Sequence, residues 1–300
     1  MTAASRSLVW IALYYCGTVL SVFGQDKPLE HNNTTWKLPV GVRYEHKIRQ
    51  EPRPLHIHVL EIDTSVPGLA FAVVPGEDPD ADGPAEVALA HPRDLAKKVG
   101  AIAAINTAAW AMLTDPQTGK KPGYIVGGAA DIAGWVSTAD RMVSPPQAGY
   151  WSVWMDQSNR LGLGMIASEQ DLKDKGIQAK WAVSGFRGIL QDSKVLVEPS
   201  ETRHPRTAIG LSSDSKKFVW LVVDGRQKGY SEGVSEEELA KLLVECGCSE
   251  GINLDGGGSS SMWVRDEKSD LKVANRPSEA SGVRPVPVVL SLIETLREGN

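Results

Sequence analysis

This 300-residue chain has few cysteines, few phenylalanines and no histidine-rich stretch. Its cysteines are Cys16, Cys246 and Cys248. Cys16 lies in an N-terminal apolar stretch, and Cys246 and Cys248 are too close in sequence for good disulfide geometry. A disulfide framework is therefore excluded, and the fold must rest on its core. No histidine lies near the cysteine pair, and no His-Glu-x-x-His occurs, so no metal is called for. No Gly-Lys-Ser/Thr follows the glycine-rich stretch, which excludes a Walker-type nucleotide loop. A Gly-x-Ser-x-Gly elbow is also missing, and no cofactor is implied. Beyond the first 24 residues no apolar run is long enough to span a bilayer, so stable membrane insertion is not expected. Excess positive charge is lacking as well. The net charge is −5, and −6 without Arg6 of the leader. That argues against a nucleic-acid partner and leaves room for a local basic pocket.

The apolar run Leu8 to Leu20, with Arg6 before it and Val22-Phe23-Gly24 after it, reads as a signal peptide over residues 1–24. Cleavage near Gly24 predicts a secreted or periplasmic protein. Residues 25–54 are polar and proline-containing and read as an N-terminal lead-in. Residues 55–293 read as a single domain. Period-two alternation over 56–63 marks a half-buried strand. Further strands are expected over 69–74, 101–105, 150–155, 181–184, 195–197, 207–211, 218–223, up to Leu254, and over 286–293. A short helix is expected over 92–98, with proline in its first turn. Residues 111–149 have weak periodicity and read as a wrapping or surface loop. Ser235 and Glu238 form a capping box, and Leu239, Leu242, Leu243 and Cys246 recur at helical spacing until Gly247 stops the helix. The predicted class is α+β: a strand-dominated mixed sheet with a few helices.

The stretch Asn253-Leu254-Asp255-Gly256-Gly257-Gly258-Ser259-Ser260-Ser261 stands out. An apolar strand ends on a carboxylate, and three glycines follow. Consecutive glycines are costly to order and suit positive φ or close approach of backbone N–H groups to a ligand. Composition alone also allows a flexible turn. Val222-Val223-Asp224-Gly225-Arg226 repeats the pattern of apolar strand and Asp-Gly, although Asp-Gly alone signals a hairpin turn. A strand–helix–strand order sets such ends side by side, so Asp224 and Asp255 are expected to share one pocket with an arginine. Arg206, at the start of a strand, suits a phosphate or carboxylate clamp; a surface salt bridge is the plainer alternative. Asn106 ends the 101–105 strand near Trp110 and also fits an Asx-turn. Arg276 and Arg284 sit in a proline-containing loop.

Taken together these segments resemble the phosphodiester glycosidase family. The resemblance rests on the glycine motif, on Arg206-Thr207-Ala208-Ile209-Gly210, on Asp224-Gly225-Arg226, on Gly233-Val234-Ser235 and on Arg284-Pro285-Val286-Pro287. It spans roughly residues 55–293. One departure is clear: where family members carry Asn-Gly-Gly-Phe-Phe, this chain has Asn106-Thr107-Ala108-Ala109-Trp110, so side chains are expected to intrude on any group near that backbone. The resemblance implies hydrolysis of the glycosidic bond in a sugar-1-phosphodiester. Asp255 and Asp224 are then the catalytic candidates. Arg206, Arg226, Arg284 and the loop Gly256, Gly257, Gly258 and Ser259 hold the substrate, and Asn253 and Asn106 orient sugar hydroxyls. Arg206 is expected to serve the phosphate rather than the fold. The partner is a carbohydrate or glycan phosphodiester. The alternative is a catalytically weak binding protein for anionic polysaccharide that uses the same pocket.

Overall fold

The computed structural model describes residues 35–81, 83–114 and 118–295. The signal peptide expected over residues 1–24 lies outside them. Strands dominate, and among the described residues there are three α-helices, Pro92–Lys98, Glu169–Asp174 and Glu236–Glu245. The strands form sheets of seven, five, five and three.

The seven-stranded sheet carries the glycine motif. Its order is Val42–Arg49, Leu55–Asp63, Lys217–Val223, Arg206–Leu211, Glu250–Asn253, Arg187–Gln191 and Lys194–Val195. Each neighbouring pair is antiparallel, as are the pairs of the other sheets. The expected mixed sheet is thus corrected to antiparallel sheets. The cause is the strand Arg206–Leu211, which inserts between Lys217–Val223 and Glu250–Asn253 and bonds to both. Those two outer strands run parallel to each other without touching. Their carboxyl ends and the amino end of Arg206–Leu211 therefore share one edge of the sheet.

The central strand shows why this sheet is two-sided. Lys217–Val223 is rich in β-branched and aromatic residues and is buried almost throughout. Its alternating positions divide between two cores. Phe218, Trp220 and Val222 join Leu60, Ile62, Ile105 and Leu290 in the main core. Val219, Leu221 and Val223 face Leu239, Leu242 and Leu243 of the helix Glu236–Glu245. That helix begins as the sequence indicates: the Ser235 hydroxyl accepts from Glu238 N at 3.2 Å, and the Glu238 carboxylate accepts from Ser235 N at 2.9 Å. Cys246 and Cys248 are buried, unpaired thiols beneath it. Burial pushes the Cys248 thiol up to about 12, so it acts as core and not as a nucleophile.

Two segments expected to be irregular are ordered into sheets. Val42–Arg49, inside the expected lead-in, pairs along its whole length with Leu55–Asp63. In the expected loop region, Ala109–Met112 pairs with Ala129–Ala133. The first is one arm of a local hairpin rich in charged residues, the second pairs across a longer loop, and composition registers neither pairing.

Ser235→Ala removes one half of the capping box. It is expected to cost about 1 kcal/mol, read as a lower urea midpoint with an unchanged slope.

Candidate functional site

The sheet edge turns directly into the site. Asp255 lies two residues beyond Asn253, and its N–H donates to Thr107 O at 2.8 Å. The preceding residue, Asn106, is fully buried at the end of the strand Ala103–Asn106. Its amide nitrogen donates to Asp255 O at 2.6 Å. Its amide oxygen accepts from Ser261 N at 3.0 Å and from the Thr207 hydroxyl at 2.9 Å. One side chain thus fastens both ends of the glycine–serine loop. Asn106, expected to orient sugar hydroxyls, is instead bonded to the protein's own backbone.

Two of the three glycines face an arginine head group, and the first lies against the backbone at Pro205. A Cβ on Gly256 would meet the Arg206 side chain at 3.8 Å and Pro205 O at 2.8 Å. A Cβ on Gly257 would meet the Arg226 guanidinium at 3.1 Å, and Gly257 holds φ +61°. A Cβ on Gly258 would collide with Arg284 and Glu279. Here the absence of side chains lets two guanidinium groups, those of Arg226 and Arg284, approach one loop, while Gly256 makes room for the backbone at Pro205.

The arginines differ in what neutralises them. Arg206 donates to Glu236 Oε1 at 3.3 Å and to Val234 O at 3.4 Å. Glu236 also takes Arg187 at 2.6 Å and the amide of Asn253 at 3.2 Å. Arg206 and Asn253 are therefore both built into the start of the helix Glu236–Glu245, which corrects the view that Arg206 stands apart from the fold. Arg284 pairs with Glu279 and lies 3.9 Å above the Tyr124 ring. Arg226 is exposed and, among the described residues, pairs with no carboxylate; it donates to His204 Nδ1 at 3.3 Å. Burial first, then Arg226 and Arg206, lowers the pKa of His204, so its ring is neutral and accepts. Arg226 also sits at φ +59°, a strained region for a residue with a Cβ.

Asp255 lines a cleft of about 390 Å³ with Trp110, Tyr124, Lys121 and Arg284. Trp110 Nε1 donates to Asp255 Oδ2 at 3.0 Å, and Trp110 meets Tyr124 edge to face at 5.6 Å. Desolvation raises the Asp255 carboxyl from 3.8 to about 6, against the opposing pull of Ser259, Trp110 and Arg284. A carboxylate poised near neutrality in a cleft is suited to moving a proton. Ser259 is buried at the end of the glycine turn. Ala108 and Ala109, expected to intrude on the site, are buried, and Ala108 packs into the main core.

Asp224 is not in this cleft. Its carboxylate is fully buried and accepts from Asn275 at 2.9 Å, Arg276 N at 3.1 Å, His58 at 3.1 Å and Tyr230 at 3.3 Å. The expected pair of carboxylates in one pocket is thereby corrected. Asp224 has the right place on the sheet edge but points into protein donors. Asn275 carries its influence onward, since the same amide donates to Ser260 O at 3.1 Å and accepts from Met262 N at 2.9 Å. Glu236, Asn275 and Tyr124 were missed as site residues. Glu236 follows directly on the capping Ser235, and an acid in a first turn reads only as a helix signal.

The family model for phosphodiester glycosidase matches residues 99–293. Among solved structures, the chain is similar to the zebrafish N-acetylglucosamine-1-phosphodiester alpha-N-acetylglucosaminidase catalytic domain auto-inhibited by its pro-peptide. The TM-score is 0.60 at 18% identity, covering 88% of this chain and 87% of that one. A hypothetical protein from Synechocystis aligns with TM-score 0.56 at 11% identity, over 85% of this chain and 62% of that one. At such identities the likeness speaks for the fold. A stretch of 62 residues is 42% identical to the SPbeta prophage-derived uncharacterized protein YomE of Bacillus subtilis (strain 168), covering 21% of this chain and 9% of that protein.

The raised Asp255 pKa fixes a sign for stability. Folding favours its protonated form, so its stabilising share is complete below the ordinary 3.8 and lost as pH rises through about 6. Asp255→Asn is expected to gain stability relative to the parent above about pH 6 and to lose that advantage below 3.8, read by thermal melts across pH.

Proposed function

The chain belongs to the phosphodiester glycosidase family, and from that premise we propose that it hydrolyses the glycosidic bond of a sugar-1-phosphodiester. The observation that carries this reading is the seating of the Arg226 and Arg284 guanidinium groups against two glycines of a single loop that begins at a carboxyl raised to about 6. A phosphodiester is an anionic leaving group and needs little proton donation. It needs its charge held as the C1–O bond breaks, which guanidinium groups in a preorganised site supply. Arg226 is the principal phosphate ligand, because Glu236 and Glu279 already neutralise Arg206 and Arg284. Asp255 then acts at C1, and the aromatic walls of Trp110 and Tyr124 border the sugar. In the direct route a water attacks C1, its proton passes to Asp255, and the C1–O electrons leave with the phosphate. In the two-step route Asp255 itself attacks C1 before water. Asp224 positions the loop through Asn275 and does not touch substrate.

The leader over residues 1–24 supports placement outside the cytoplasm, in the periplasm or secreted. Among the described residues no helix is long and apolar enough to cross a membrane.

Activity is tested with a sugar-1-phosphodiester by assaying the free reducing sugar released, because the alcohol leaves still esterified to phosphate. Asp255→Asn should abolish turnover and still bind the sugar phosphate. Arg226→Ala should lower kcat/KM by about thirtyfold or more, in line with a lost charge-stabilising donor of roughly 2 kcal/mol. Its melting temperature should hold, because the side chain is exposed. Binding without turnover in the parent protein would favour the polysaccharide-binding alternative.

Gly257→Ala places a methyl group at φ +61° against Arg226. It should cost roughly 1 kcal/mol of backbone strain and weaken sugar-phosphate affinity, measured by calorimetry on the folded variant.

A further inference from the structure

The loop between the strands Ala109–Met112 and Ala129–Ala133 carries a feature that the hydrolytic reading does not use. Tyr124, Ile125 and Val126 are consecutive, and their exposures are 54%, 57% and 65%. Among the described residues this is the longest unbroken run of exposed large apolar side chains. Single exposed apolar residues are ordinary, but adjacent ones at the mouth of a cleft mark a contact surface. Lys120 and Lys121 precede them and are exposed. No aspartate or glutamate occurs from Thr118 to Gly128, in a chain whose net charge is −5. The segment is held in place at its base. Gly127 N donates to Leu89 O and Leu89 N to Gly128 O, each at 2.8 Å, and Ile125 N turns back to Gly123 O at 2.7 Å. Tyr124 is fixed from below by Arg284 and Trp110. The backbone therefore presents Ile125 and Val126 outward at the rim of the Asp255 cleft.

Two lysines beside an aromatic and two aliphatic side chains have the composition of an interfacial anchor. The cations meet anionic headgroups, the tyrosine suits the headgroup level and the aliphatic tip enters the acyl boundary. We propose that residues 120–126 form a docking loop that seats the mouth of the cleft on an anionic lipid surface. The substrate is then met at that surface, as the headgroup of a lipid or as a glycan anchored there. This docking is separate from hydrolysis, and its readout is binding.

The test is co-sedimentation with vesicles of phosphatidylcholine alone and of phosphatidylcholine mixed with phosphatidylglycerol. The parent protein should bind the mixed vesicles, more weakly at high salt, and bind the neutral ones poorly. Ile125→Ser with Val126→Ser should lower that partition by on the order of tenfold, with an unchanged melting temperature and unchanged turnover of a soluble substrate. Lys120→Gln keeps the apolar tip and should weaken binding to the anionic vesicles only. Failure of the parent protein to sediment with phosphatidylglycerol vesicles would overturn the proposal. So would unaltered partition of both variants, or a double variant that changes only the oligomeric state without lipid, which would make the tip a contact between copies. Loss of turnover on every soluble substrate with vesicle binding intact would count against the hydrolase reading and leave the docking loop standing.

Discussion

Everything in the site depends on the side-chain amide of Asn106. It lies where two sheets meet, on a strand of one sheet, and it bonds to Thr207 and to both ends of the glycine–serine loop of the other. The bonds are buried, so any substitute that left Asp255 O or Ser261 N without a partner would leave a desolvated polar group behind. The loop has no apolar side chain with which to hold itself in place. Its conformation is imposed from outside, by Asn106 on one side and by Pro205 O, which accepts from Gly257 N, on the other. Asn275 adds a third hold through Ser260 O, and the buried Asp224 anchors Asn275.

A fixed loop allows an uneven distribution of charge around it. The Arg226 and Arg284 guanidinium groups close on the loop glycines, Arg206 lies beside Gly256 through its stem, and carboxylates outside the cleft offset Arg206 and Arg284. The remaining guanidinium faces a neutral histidine. Such a site is not an unrelieved positive patch that would hold any anion. Its attraction for an anion falls on Arg226 and on Lys121 of the cleft wall, with the directional N–H groups of the other two arginines alongside. Beside it desolvation raises the Asp255 carboxyl to about 6.

Much of this was legible in the chain. The capping box located the helix Glu236–Glu245, and the two apolar strands ending in Asp-Gly correctly implied a shared sheet edge. The glycine run and Arg226, both read from the sequence, do come together, with Gly257 against the Arg226 guanidinium. What the sequence did not carry was direction. Asp224 and Asp255 look alike as strand-end acids, yet one turns into a cluster of histidine, tyrosine and asparagine donors and the other into a cleft. That difference is set by His58 and Asn275, far away in sequence. Arg206 likewise carries the family pattern, but its partner Glu236 emerges only when the helix folds back on the sheet. The strand over 42–49 was hidden because its many charged residues mask the alternation of a local hairpin, and that over 109–112 because it is short and pairs across a longer loop.

Arg226 occupies a backbone conformation in which glycine would be at ease, and an arginine there costs about 1 kcal/mol. The codon therefore separates two selective pressures. A protein evolved only for thermal endurance gains by drifting to Arg226→Gly, which relaxes the turn and discards the uncompensated cation. With Arg226 as the proposed phosphate ligand, a protein evolved for turnover keeps the strained residue. Which of the two a population retains would report, at a single position, whether the pocket is still being used.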